Sequence, residues 1–170
     1  ASFVNYSFNG QPWSGISTWS AKAGGNCCDM VAKNVTGATQ TYVGVVVQPA
    51  DVLNLHPGAS GEKATVRWTA PASGAYRFQG RFQGIDTVGT TTDQSILHNG
   101  NQVWSSTINV YGLNAVFDFN LTVTAGDIVD FSVGYGSNGN YQNDSTGLAV
   151  NVSSTTVTPT PTVTPTVTPT

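Results

Sequence analysis

The chain has 170 residues, 9% of them charged and 39% hydrophobic, with a formal net charge of −3 at pH 7. That balance disfavours nucleic acid as a partner, because phosphate binding needs a basic surplus, and no apolar run is long enough to give a membrane span. Gly, Thr, Ser, Asn and Val dominate, a turn-rich, low-charge profile that suits a secreted, extracellular or cell-surface β-protein, with Ala1 reading as a mature N-terminus after signal-peptide removal.

In chain order, residues 3–8 form the first strand signal, with Phe3 followed by the alternation Val4, Tyr6, Phe8. Such a terminal strand is suited to donation to the open sheet edge of another copy. Cys27 and Cys28, the only cysteines, are adjacent and follow Gly24, Gly25 and Asn26. Neighbouring Cα atoms lie about 3.8 Å apart, closer than ordinary disulfides allow, so a bond between them makes a strained ring that locks the loop; two thiols or an intermolecular bridge are the alternatives. Further strands are expected at 42–47 and 52–56, and His56 before Pro57-Gly58 is read as a turn-fixing histidine.

From Ala64 to Trp68 the inward set is Ala64, Val66 and Trp68; after the turn Pro71-Ala72-Ser73-Gly74, Tyr76, Phe78, Gly80 and Phe82 continue it, and the two strands are expected to pair as a hairpin. Lys63, Arg67, Arg77, Gln79, Arg81 and Gln83 then share one outward face, an array of fork-shaped donors for sugar hydroxyls, carboxylates or a neighbouring subunit. Asn99-Gly100 marks a second hairpin. A third is expected across Ala125-Gly126-Asp127, joining the alternation Ala115, Phe117, Phe119, Leu121, Val123 to Val129, Phe131, Val133, Tyr135. A last strand is expected at 148–152. Asp86, Asp93 and Asp144 fall in Gly-rich loops and are candidates for calcium, which takes oxygen ligands; no other cofactor is called for. Trp13, Trp19, Trp104, Tyr111 and Tyr141 fall near turns or off the core parity, where exposed rings can stack on sugars.

The pattern specifies an all-β, two-sheet antiparallel sandwich of jelly-roll type over residues 1–154, followed by an extended Thr/Pro-rich tail, 155–170. Pro159, Pro161, Pro165 and Pro169 hold the tail extended, and a Ser/Thr/Pro composition marks O-glycosylated stalks, with Thr158, Thr160, Thr162, Thr164, Thr166, Thr168 and Thr170 as acceptors. No G-x-S-x-G, H-E-x-x-H or P-loop motif is present, so no catalytic residue is nominated and the chain is read as a non-enzyme.

The segments H-P-G (His56 to Gly58), V-R-W-T-A-P-A-S-G-A-Y-R-F-Q-G-R-F-Q-G-I-D-T (Val66 to Thr87) and F-S-V-G-Y-G-S-N-G-N-Y-Q-N-D-S-T-G-L (Phe131 to Leu148) resemble a module of secreted bacterial surface proteins of the PEP-CTERM type. The resemblance spans about residues 13–153 and implies a jelly roll similar in fold to carbohydrate-binding modules, exported from a bacterial cell. This chain carries Thr/Pro repeats where those proteins carry a sorting signal. Two functions are expected: a structural subunit of a surface fibre or sheath, built from copies of itself by strand addition or tail docking with a glycosylated tail; and, alternatively, a carbohydrate-binding module linked by its tail to a secreted enzyme or wall protein.

Overall fold

A computed structural model of the chain describes residues 6–21 and 28–155, and among them every regular element is a strand. The strands are β1 (Phe8–Trp13), β2 (Ile16–Ser20), β3 (Met30–Asn34), β4 (Gln40–Tyr42), β5 (Val46–Gln48), β6 (Leu53–His56), β7 (Ala64–Thr69), β8 (Gly74–Gly84), β9 (Thr92–His98), β10 (Asn101–Ile108), β11 (Asn114–Val123), β12 (Ile128–Gly134) and β13 (Thr146–Ser154). A seven-stranded sheet in the order β1-β2-β3-β6-β13-β8-β11 faces a four-stranded sheet in the order β10-β9-β12-β7, and β4 and β5 pair separately. All pairings are antiparallel. This is the expected two-sheet, jelly-roll-like sandwich. No helix among the described residues is long and apolar enough to cross a membrane.

The core follows from alternation. Phe78, Phe82, Phe117, Phe131 and Val133 are buried between the two large sheets, with Trp68, Tyr76 and Phe119 half-buried against them. Each fully buried Phe contributes about 1.5–3 kcal/mol of apolar transfer, and the rings interlock: Phe78 stacks on Phe119 at 5.6 Å and Phe117 meets Phe131 at 5.9 Å. Trp104, expected off the core, belongs to it, stacked on Phe82 at 5.7 Å. The register of β9 and β10 shifts between Gln102 and Trp104, and that bulge turns the indole inward against the simple parity of the strand.

Two of the three expected hairpins are corrected. β7 pairs with β12 and β8 with β11 and β13, so the turn after β7 carries the chain from one sheet to the other. Trp68 and Tyr76 meet across the interior at 5.1 Å. The turn at residues 124–127 does the same between β11 and β12, and Gly126 donates its amide to Ala70 O at 2.9 Å, clamping the two crossings together. The Asn99-Gly100 hairpin forms as expected: His98 pairs with Asn101, and both turn residues take positive φ (49° and 83°).

Register also fixes a second layer. Trp19, Val31 and Leu55 sit side by side and pack into the main core, so their neighbours Thr18, Ala32 and Asn54 point to the outer face of the seven-stranded sheet. There the β4–β5 hairpin covers them, burying Ile16, Ala32, Tyr42, Val46 and Ile85 in a smaller cluster.

Candidate functional site

A cleft of about 380 Å³ opens at the rim of this second layer. Met30 and His56, paired across β3 and β6, lie at its base. Tyr42, Val43, Val45 and Val46 come from the β4–β5 hairpin, Trp13 from the end of β1, Asp86 from the loop after β8, and Tyr141, Gln142, Asn143 and Ser145 from the loop before β13. The Trp13 and Tyr42 rings lie 4.8 Å apart at 30°, and Tyr141 stands edge-on to His56 at 6.4 Å and 72°. Three aromatic residues thus line a cavity that also holds a carboxylate, amides and a hydroxyl.

Behind the cleft a buried hydrogen-bond network holds Tyr42 in place, with Asn54 Oδ1 its one atom left without a partner among the described residues. The Tyr42 hydroxyl donates to Gln48 Oε1 (2.9 Å) and accepts from Asn54 Nδ2 (2.8 Å), while Gln48 Nε2 donates to the carbonyls of Ala32 (3.1 Å) and Val52 (3.0 Å). Burial pushes the phenol up to about 12, so Tyr42 offers the cleft a fixed ring rather than a proton. His56 Nδ1–H donates to Pro57 O at 2.9 Å, which leaves Nε2 as an acceptor. Burial holds this imidazole below its ordinary value, and it is neutral. The turn-fixing role expected of His56 is what this bond performs.

Asp86 is 2% exposed. Its Oδ1 accepts the Val88 amide at 3.1 Å, and Val46 bridges its backbone to the hairpin. Burial raises its carboxyl above the ordinary range, against the pull of the Val88 amide and His56. Backbone strain gathers here too. Val43 has φ 45° and Asn143 φ 63°; for Asn this is a tolerated conformation, but for a β-branched valine it is an outlier, and such strain concentrates at binding sites.

Other expected site residues are placed elsewhere. The polar array is divided: Lys63 and Arg67 belong to the side of the four-stranded sheet, and Arg77, Gln79, Arg81 and Gln83 to β8 of the seven-stranded one. Each cation in it is neutralised, Lys63 by Asp93 (2.7 Å), Arg67 by Asp130 (2.7 Å), Arg77 by Asp118 and Arg81 by Asp51 (2.7 Å). Of the carboxylates expected to bind calcium, Asp86 and Asp93 lie near enough to Asp144 to act on its charge, while no group of three or more Asp, Glu, His or Cys side chains among the described residues is arranged to hold a metal ion. Asp93 is engaged by Lys63 and the Gly136 amide, Asp144 by Thr91, and Asp86 faces the cleft. Of the proposed donor strand, Phe3 and Val4 lie outside the described residues, Tyr6 donates to Asp29 Oδ1 (2.9 Å), and Phe8 pairs with Ser20 of its own chain. Cys28 lines the cleft; Cys27 and the seven tail threonines lie outside the described residues. Of the aromatics expected to be available to sugars, Trp13 and Tyr141 meet in the cleft, Trp19 packs on the core and Tyr111 is exposed.

No protein-family model matches the chain, and no curated protein matches it. Its fold is similar to solved carbohydrate-binding modules. A family 35 carbohydrate-binding module from an environmental isolate aligns with a TM-score of 0.39 and 12% identity over 70% of this chain and 87% of that one. A family 35 module from Clostridium thermocellum aligns at 0.38 and 18% identity over 69% and 85%. The C-terminal domain of EclA, a sugar-binding protein, aligns at 0.46 and 12% identity over 79% and 89%. The resemblance to PEP-CTERM-type surface modules finds no matching family and stays with the motifs that suggested it.

Met30, Tyr42, Val46 and Ser145 are site residues that sequence reasoning did not nominate. A signal for Tyr42 existed in Tyr42-Val43-Gly44, an aromatic beside a turn glycine. Nothing local marks the other three, because the fold alone brings them to one rim.

Proposed function

We propose that this protein is a non-catalytic carbohydrate-binding module that takes a sugar in the cleft beneath Trp13, Tyr42 and Tyr141. The observation that carries this reading is the cleft's composition. A pyranose has an apolar C–H face and a polar rim; aromatic rings match the first, while Asp86, His56 Nε2, Gln142, Asn143 and Ser145 can match the second. The site is built in advance, since Tyr42 is fixed by Gln48 and Asn54, so little side-chain entropy is lost on binding.

Hydrolysis is disfavoured by the same geometry. A glycosidase sets two carboxyl groups across its cleft at roughly 5–9.5 Å, whereas Asp86 is the single carboxylate lining this one among the described residues. The fibre reading gains no support from the described residues, whose first strand is paired within its own sheet. A secreted setting suits the module, with the Thr/Pro tail as an extended, O-glycosylated spacer.

The test is titration calorimetry against a panel of soluble plant and microbial polysaccharides, with Trp13→Ala and Tyr141→Ala alongside the unaltered protein. Each substitution is expected to weaken binding by about tenfold or more, as for a lost stacking ring. Absence of binding across the panel, binding indifferent to both substitutions, or release of reducing ends would each overturn the reading.

A further inference from the structure

Asp86 brings a carboxyl to the cleft with no Lys or Arg beside it among the described residues. Its Oδ1 is held by the Val88 amide at 3.1 Å, and Oδ2 makes no hydrogen bond among the described residues. No Lys or Arg among the described residues lines the cleft, because the cations nearest in sequence are committed elsewhere, Lys63 to Asp93 and Arg81 to Asp51. His56, the one basic side chain lining the cleft among the described residues, is held toward its neutral form by burial, with Nδ1–H bonded to Pro57 O. A carboxylate this buried gains most from a ligand that brings a positive charge. The walls favour the same choice, since the faces of Trp13, Tyr42 and Tyr141 attract cations through their ring quadrupoles.

We propose that the cleft selects sugars carrying a protonated amine, which pairs with Asp86 between the aromatic walls, over their hydroxyl and acetamido counterparts. This deepens the carbohydrate-binding reading and rests on it. A hydroxyl at that place can hydrogen-bond to Oδ2 but leaves the charge uncompensated. An acetamide replaces the charge with bulk, and a uronate would set a second anion against the first.

The test compares β-1,4-linked tetrasaccharides of glucose, glucosamine and N-acetylglucosamine, which differ only in the group at C2, by calorimetry at neutral pH. The glucosamine form is expected to bind on the order of tenfold more tightly than the other two, the value of a charge-assisted hydrogen bond. Asp86→Asn keeps an acceptor for Val88 and should bring the three affinities within about twofold of one another. Asn120→Ala, exposed on β11, should leave the ratio as it is. Equal affinities in the unaltered protein, or an amine preference that survives Asp86→Asn, overturn the proposal while sugar binding stands. Failure of all three tetrasaccharides to bind overturns it too, and binding or silence across the wider polysaccharide panel then decides the parent reading separately.

Discussion

Asp144 is fully enclosed, with Oδ1 accepting from the Thr91 amide (2.9 Å) and hydroxyl (3.1 Å) and Oδ2 left without a partner. Burial is the chief cause that raises its pKa to about 6. A carboxyl whose folded value lies above its unfolded one favours the fold while protonated. Its contribution is therefore present below about pH 4 and lost as pH rises to about 6, a change on the order of 2–3 kcal/mol. Asp127 acts in the opposite sense: the Thr124 amide, then Asn99 and His98, hold it at about 2, so what it contributes is lost only as pH falls toward that value. Because His56, held low by burial, adds stability as pH rises through the same window, the expected signature lies in the difference between thermal melts of the unaltered protein and Asp144→Asn, which should shift from about pH 4 to pH 6 in the sense of stability lost by the unaltered protein. A pH dependence identical in the two proteins would show that this carboxyl contributes none of it. In the core, Phe78→Ala should lower stability by about 3–5 kcal/mol, read from denaturant midpoints, because its ring meets Trp68, Phe119 and Phe131 at once.

At the scale of elements, two glycine-bearing sites make opposite predictions. Gly80 of β8 lies where a Cβ would meet the Ala149 carbonyl and the Phe117 ring, so Gly80→Ala should cost about 1–3 kcal/mol by overpacking. The β4–β5 turn is open, and there both Val43 (φ 45°) and Gly44 (φ 77°) take left-handed backbone, which glycine adopts freely and a β-branched valine does not. Val43→Asn should therefore stabilise the hairpin by about 1 kcal/mol, provided that melting is followed far from ligand. Loss of stability in that variant would mean that the valine's packing outweighs its strain. These elements also show what a sequence can convey. Alternation along β8 and β11 identifies Phe78, Phe82 and Phe117 as inward, because the pleat sends every second side chain to one face. It does not distinguish two strands that pair edge to edge from two that face each other across a core, since both bury the same set. Hence β7 and β8 read as a hairpin while lying in different sheets, and only Asn99-Gly100, whose turn chemistry is specific, declares its pairing locally.

Across the whole molecule, the cleft was legible only in fragments. Trp13, Tyr141, His56 and Asp86 each stand out in the sequence, yet they lie on four segments that register brings to one rim. Cys28 lines that rim, and we expect it to be bonded to Cys27; thiol titration of the unreduced protein should find no reactive sulfhydryl, and two would refute the bond. The β4–β5 hairpin has a further consequence. It is three residues to a side, and its main-chain ties to the rest run through Val45 and Val47 to Thr87 and Ile85. Beyond these the side chains of Tyr42 and Gln48 anchor it, and a wall with so few main-chain ties opens at lower free energy than the sheets behind it. Amide hydrogens within residues 40–48 should then exchange with solvent through this local opening well before those of β8. A bound sugar would slow their exchange in proportion to its occupancy, so the hairpin serves as an internal gauge from which affinity can be read by mass spectrometry without labelling the ligand.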